Sequence, residues 1–264
     1  MASEDTPTLA GQRAVVTGAS RGIGRTIALN LAKAGADVAV TARTMPDLEQ
    51  VATQVREMGR RSLAVPCDVT DPEQVERMAV QVIEGLGGLD ILVNNAGNAS
   101  SHKFVNHPDD LWHHMLSINL TSVYYVTKAF VPAMVEQRSG RIINIASIAS
   151  KAGGRYLAAY TAAKHGVLGL TRALALEMVP YNITVNAVCP GYVDTPMTQA
   201  NIANMVARTG MTEAQVREAL EKMTPQQRLF DPEEVAAVAL FLAQDIAKGI
   251  TGQAVNVDGG ALLW

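Results

Sequence analysis

Aromatic side chains are scarce in this chain of 264 residues, 5% in all, and cysteines number two. Cys67 and Cys189 lie far apart, each just beyond an apolar run and without a C-x-x-C partner. That excludes a disulfide scaffold and a thiolate metal site, and predicts two buried thiols in a reducing compartment. The five histidines show no metal-ligand spacing; neighbours such as His113 and His114 cannot share a helix face, so no metal is expected. No uncharged apolar run reaches the ~18 residues that a membrane span needs. The opening stretch MASEDTPTLA is polar and acidic, unlike a secretory leader, so residues 1–10 are expected to be flexible and the protein cytoplasmic. An excess of either charge is also missing, with 22 basic residues against 25 acidic ones. The basic group Arg56, Arg60 and Arg61 falls at the end of a helical pattern and reads as a solvated face, so neither nucleic acid nor membrane is expected as a partner. No internal repeat or low-complexity linker divides the chain, which reads as one domain over 1–264.

What the sequence does contain is alternation. Strand-like runs at 13–17, 37–42, 62–66, 89–93, 140–146, 183–188 and 253–257 are separated mostly by segments with helical spacing. Helix starts are marked by Asp71-Pro72 with Gln74, by Thr212 with Gln215 and by Asp231-Pro232 with Glu234, the chemistry of N-caps and capping boxes. Alternation of this kind predicts an α/β fold, a doubly wound parallel sheet with helices on both faces. Ligands of such sheets sit beyond the carboxyl ends of the strands. Each of the first six runs leads to a polar or glycine-bearing group there: Thr17-Gly18, Ala42-Arg43, Asp68, Asn94-Asn95-Ala96-Gly97, Ser147 and Pro190-Gly191.

The first of these opens the stretch TGASRGIGR, Thr17 to Arg25. Glycines let the backbone take positive φ and admit a ligand without meeting a β-carbon. A helix starting near Gly22 would aim unpaired N–H groups and a partial positive charge at that ligand, so a pyrophosphate is the expected guest. The spacing, Gly18-x-x-x-Gly22-x-Gly24, is neither G-x-G-x-x-G nor a Walker loop. An NAD site would place an acid at the end of the second strand. That acid is absent; Arg43 stands there, and Arg21 lies on the glycine turn. Paired guanidinium contacts suit a 2′-phosphate, so the pair predicts NADP(H).

Chemistry is predicted around Ser147 and the helical pattern of 157–179. Tyr160 and Lys164, at i and i+4, lie on one face of that helix. A phenol with a pKa near ~10 needs help to exchange a proton near neutrality, and a nearby ammonium is expected to lower it. Ser147 can hold a substrate carbonyl oxygen beside the phenol. Tyr124 and Lys128 share the spacing, but Leu111 stands where a serine would be needed. Tyr124 therefore reads as packing and Lys128 as surface.

Taken together, Thr17-Gly-x-x-x-Gly-x-Gly24, Asn94-Asn-Ala-Gly97, Asn119, Ser147, Tyr160-x-x-x-Lys164 and Pro190-Gly191 resemble the short-chain dehydrogenase/reductase family over residues 10 to 260. The resemblance implies a single Rossmann-type domain with seven parallel strands. It implies Tyr160 as general acid in reduction, Lys164 as holder of the nicotinamide ribose and tuner of Tyr160, Ser147 as orienter of the substrate oxygen, and Asn119 as anchor of a water leading from Lys164 to solvent. Gly18, Ser20, Arg21, Gly22, Ile23, Gly24 and Arg43 would bind the cofactor's phosphates. Asp68 and Val69 would border the adenine, while Asn95, Ala96, Gly97, Pro190, Gly191, Val193 and Thr195 would border the ribose and carboxamide. A homotetramer is implied, with the apolar end Ala-Leu-Leu-Trp264 at an interface. Between Thr195 and Arg228, an insert rich in Met, Ile, Val and Leu is expected to close as a lid over an apolar ketone. The function expected is NADPH-dependent reduction of a 3-oxoacyl ester, thioester or other apolar ketone. A dehydrogenase of a 3-hydroxy acid or sugar alcohol, or a non-catalytic NADP sensor, is the alternative.

Overall fold

The computed structural model describes residues 8–264. The expectation for residues 1–7 lies outside the described residues. Leu9 is 2% exposed and donates its N–H to Ala34 O at 2.8 Å, because an apolar side chain beside a helix end is better buried than hydrated.

Among the described residues the strands are β1 (Arg13–Thr17), β2 (Asp37–Ala42), β3 (Ser62–Pro66), β4 (Ile91–Asn94), β5 (Gly140–Ile145), β6 (Ile183–Pro190) and β7 (Ala254–Val257). They form one parallel sheet in the order β3-β2-β1-β4-β5-β6-β7. Successive side chains leave a strand on opposite faces. In β1, Val16 joins Ile91, Val93 and Ile143 on one face, while Val15 joins Leu92, Ile142 and Val185 on the other. Both faces are covered, which is why these strands read as unbroken apolar runs rather than as alternation.

The helices are α1 (Gly22–Lys33), α2 (Met45–Glu57), α3 (Pro72–Leu86), α4 (Asp109–Leu116), α5 (Ser122–Gln137), α6 (Ala158–Met178), α7 (Pro196–Thr209), α8 (Glu213–Glu221) and α9 (Pro232–Ala243). The caps fall where the sequence placed them. Asp71 accepts from Glu73 N and Gln74 N, Thr212 and Gln215 form a capping box, and Asp231 N donates to Glu234 Oε2 at 2.8 Å. The sheet order reverses between β1 and β4, so both chain directions open a crevice beyond these two strands.

The segment between Thr195 and Arg228 is an excursion closed at its neck, where Val193 pairs with Phe230. It carries a core of its own: Ile202, Val216 and Leu220 pack with Leu229, Tyr192 and Val206. Met197, Met205, Met211 and Met223 are exposed.

Candidate active site

At the end of β1 the chain turns through Gly18 and Gly22, at φ of 65° and 55°, a left-handed backbone that glycine takes without strain. A β-carbon on Gly22 would stand 3.5 Å from the Thr195 side chain. Thr195 in turn caps α7, its Oγ1 accepting from Thr198 N at 3.3 Å. The first turns of α1 and α7 therefore abut, and both offer N–H groups without helical partners together with the positive ends of their dipoles. Ser20 and Ile23 are half-buried in this cradle and Arg21 is exposed; Arg21 flanks α1 without making a side-chain cap bond. Arg43, also exposed, stands one residue past β2. Among the described residues neither arginine enters an ion pair. The geometry is that of an anion cradle with two further cations at its rim.

Asn95 holds the cradle to the neighbouring strand end. Its Nδ2 donates to Thr17 O at 2.9 Å and to Gly18 O at 3.2 Å. The N–H groups of Asn95 and Ala96 both donate to Thr17 Oγ1 at 3.0 Å. The Asn95 amide is thus engaged with protein, and what its loop offers to a ligand is backbone. Asp68 is similarly occupied, accepting from Thr70 N at 3.0 Å and Thr70 Oγ1 at 2.7 Å, with Val69 buried beside it.

Asn119 lies in a single π-helical turn, Ser117–Thr121, between α4 and α5. The wider turn, a form found mostly at functional sites, brings Asn119 wholly inside. Its Nδ2 donates to Met115 O at 3.1 Å and its Oδ1 accepts from Asn98 N at 3.2 Å. A β-carbon on Gly97 would lie 2.7 Å from Asn119 Oδ1 and 3.8 Å from Lys164 Nζ. Three sequence-distant residues thus meet where only glycine leaves room.

Ser147 follows β5 and caps the short turn Ile148–Ser150, its Oγ accepting from Ala149 N at 3.1 Å. From α6, Lys164 is buried and donates Nζ to Ile145 O at 2.9 Å, while Nζ lies 5.9 Å from the centre of the Tyr160 ring. Burial lowers the Lys164 ammonium to about 8. The Tyr160 phenol is raised, chiefly by burial, with a hydrogen bond to Ser147 opposing the rise. The lowering of Tyr160 expected from Lys164 is therefore not what the fold produces. Both environments favour neutral forms, because apolar surroundings disfavour either charge.

Pro190 ends β6, and Gly191 N donates to Val257 O at 3.0 Å. Val193 is buried at the neck of the insert. Tyr124, expected to pack, is instead 45% exposed, with Lys128 Nζ 5.7 Å above its ring. Its face of α5 points away from the sheet, so the pair forms a surface cation–π contact. Cys67 and Cys189 are buried and free. Among the described residues no group of three metal ligands occurs, and no helix is long and apolar enough to cross a membrane.

Three contributors escaped the sequence reading. Tyr192, half-buried and with its phenol raised by desolvation, links the insert's core to the neighbourhood of Tyr160; its place after Pro190-Gly191 was the available signal. Beneath the site a buried chain runs from Thr127 Oγ1 through Asn94 Nδ2 at 2.9 Å, on to Asn144 Oδ1 at 2.9 Å, and from Asn144 Nδ2 to Thr171 Oγ1 at 2.9 Å. Asparagines in two strands that are apolar but for Arg141 were its signature. Asn98 Nδ2 lies 3.3 Å from His114 Nε2, a contact that no spacing foretold.

A family model described as enoyl-(acyl carrier protein) reductase matches residues 18–261. D-beta-hydroxybutyrate dehydrogenase of Rhizobium meliloti is 40% identical over 250 residues, 94% of this chain and 97% of that protein. The 3-oxoacyl-(acyl-carrier-protein) reductase FabG of Vibrio cholerae is 39% identical over 252 residues, 96% of this chain and 98% of that protein. A tryptophan variant of actinorhodin polyketide ketoreductase, solved with NADPH, superposes with a TM-score of 0.91 at 38% identity, covering 99% of both chains.

Proposed function

The chain belongs to the short-chain dehydrogenase/reductase family, and from that premise we propose that it is an NADPH-dependent reductase of 3-oxoacyl groups, with Tyr160 as proton donor. The observation that carries the proposal is the convergence of Ser147, Tyr160 and Lys164 beyond β5, with Lys164 Nζ 5.9 Å from the centre of the Tyr160 ring and the phenol hydrogen-bonded to Ser147. The protein is an oxidoreductase acting on C=O and CH–OH groups; its cofactor preference and substrate are the proposed part.

NADPH, when bound, supplies the hydride that reaches the carbonyl carbon. The rest falls to the chain. The abutting first turns of α1 and α7 receive the pyrophosphate, and Arg21 and Arg43 receive the 2′-phosphate. Ser147 donates a hydrogen bond to the substrate oxygen. Tyr160 delivers its proton to that oxygen and is left as a phenolate, which the Lys164 ammonium stabilises until a proton returns from solvent along Asn119. The insert from 195 to 228 closes over the substrate as a lid hinged at Val193 and Phe230, its exposed methionines meeting apolar carbon.

A homo-oligomer, a tetramer by family resemblance, is part of the same proposal. Its support is exposed apolar surface: Leu176 at 79%, Leu263 at 87% and Trp264 at 72%, more than an isolated chain usually leaves in water. Sedimentation as a monomer at micromolar concentration would refute it.

The decisive experiment for the activity follows NADPH oxidation by the purified protein with a 3-oxoacyl ester, a cyclic ketone and a ketose. Turnover of the ester is expected. Preference for the ketose would overturn the substrate class, and NADPH binding without turnover of any ketone would favour a sensor.

A further inference from the structure

Lys151 is held by carbonyl groups alone. Its Nζ donates to Ala254 O and to Trp264 O, both at 2.8 Å, and it enters no ion pair among the described residues. Ala254 opens β7, the outermost strand, beside β6. Gln253 O accepts from Ala187 N at 2.8 Å and so faces β6. Carbonyls alternate in direction along a strand, so Ala254 O faces the open edge, where no neighbouring strand can satisfy it. Trp264 O belongs to a segment folded back on that edge. Asp258, buried, accepts from Gly260 N at 3.1 Å and from Leu262 N at 3.0 Å, and Asn256 Nδ2 donates to Leu262 O at 2.9 Å.

The backbone of Lys151 closes the turn that begins at Ser147. Ser150 N donates to Ser147 O at 2.9 Å and Lys151 N to Ile148 O at 3.0 Å. Ala149 N donates to Ser147 Oγ at 3.1 Å, so the serine hydroxyl moves with the turn. Beyond Lys151 the chain passes through Gly153, which is exposed and has open space where a β-carbon would stand. No helix begins until Ala158. The Lys151 side chain therefore ties the turn to the edge of the sheet just before the chain enters open loop.

Resting on the reading of Ser147 as the group that holds the substrate oxygen, we propose that Lys151 is a positioning residue for Ser147, fixing its turn to the edge of β7 and to the segment 258–264. Hydrogen bonds from an ammonium are shorter and stronger than those between neutral groups, and two from one Nζ hold it at a fixed point. A solvated surface lysine does not describe this side chain, which is half-buried. Charge balance does not account for it either, since both of its acceptors are carbonyls. What the two bonds do is limit the travel of the turn. That matters at a reacting centre, where a displacement of about 1 Å can cost on the order of 100-fold in rate.

The test follows NADPH oxidation with a 3-oxoacyl ester in Lys151→Met, alone and combined with Ser147→Ala. Methionine keeps an unbranched stem and removes the donors. The single variant is expected to lose roughly 10- to 100-fold in kcat with KM for NADPH unchanged, and Lys151→Arg, which keeps donors, to recover most of that loss. In the Ser147→Ala background the hydroxyl to be positioned is gone, so adding Lys151→Met is expected to change the residual rate by less than about twofold. Asn256→Ala frees the segment 258–264 but leaves Lys151 on Ala254 O. It is expected to give a smaller loss of kcat of the same kind, and it carries the test if Lys151→Met does not fold. An unchanged kcat in the Lys151 and Asn256 variants overturns the inference. So does an equal loss with and without Ser147, or a loss shared with KM for NADPH, because either makes Lys151 a general brace of the sheet edge. These outcomes leave the reductase reading standing; that reading falls if the wild type reduces no ketone.

Discussion

Gly24 and Asn95 interlock. The side-chain amide of Asn95, bonded to Gly18 O at 3.2 Å, occupies the space that a β-carbon on Gly24 would need, and that carbon would also lie 2.5 Å from Gly18 O. Gly24 is helical and needs no special φ, so its requirement is one of room. Gly24→Ala is expected to cost about 1–3 kcal/mol of stability, since backbone cannot yield as a flexible side chain does. A lower Tm with weakened NADPH binding is the expected result; an unchanged Tm would contradict the interlock.

Arg43→Ala should weaken NADPH binding roughly 10- to 100-fold, the equivalent of losing charge-assisted bonds to a phosphate, with little change for NADH. Titration of the variant with each cofactor measures it. Equal steady-state use of NADH and NADPH by the wild type would remove the basis for the prediction.

The two Tyr-x-x-x-Lys pairs are separated by substitution. Tyr160→Phe removes the transferable proton and is expected to abolish turnover while retaining cofactor binding. Tyr124→Phe, on an exposed ring, is expected to stay active. The reverse pattern would mean that the chemistry lies on α5.

Lys164 also leaves a signature in stability. Its ammonium is lowered from 10.5 to about 8 by burial, so between these values the unfolded chain binds more protons than the folded one, and stability rises with pH. Relative to Lys164→Met, the wild type should gain about 2–3 kcal/mol from about pH 8 to about pH 10. Denaturant unfolding across that window tests the sign. A constant difference between the two proteins would show that Lys164 is not desolvated.

Both thiols should be silent. Burial raises Cys67 to about 11 and also raises Cys189, so little reactive thiolate is present near neutrality. Neither is expected to react with a thiol reagent in the native protein, and both should react after denaturation. Rapid native labelling of Cys189, which lies next to Pro190 at the end of β6, would show that the site opens to solvent.

Much of the frame was legible beforehand because it is written locally. Apolar runs buried on both faces marked the strands to within a few residues, and N-cap chemistry marked Asp71, Thr212 and Asp231. The fourth strand, expected over 89–93, is displaced to Ile91–Asn94, since Leu89 is buried without sheet pairing and so looks like strand in a pattern of hydrophobicity. Tyr124 misled for the converse reason: an aromatic residue in an apolar helix resembles core until the helix is packed.

By itself the sequence determined the alternation of strands and helices, the glycine turn, the arginines at the ends of the first two strands, and a tyrosine and lysine one helical turn apart. These depend on periodicity and on near neighbours, which a chain specifies before it folds. Tertiary structure alone decided that the π-helical turn carries Asn119 to Gly97 and Lys164, that Gly24 makes room for Asn95, and that Thr127 and Thr171 are joined through Asn94 and Asn144. Those relations join residues tens of positions apart, and burial, which moves Tyr160 and Lys164 toward their neutral forms, exists only once the strands have brought such residues together.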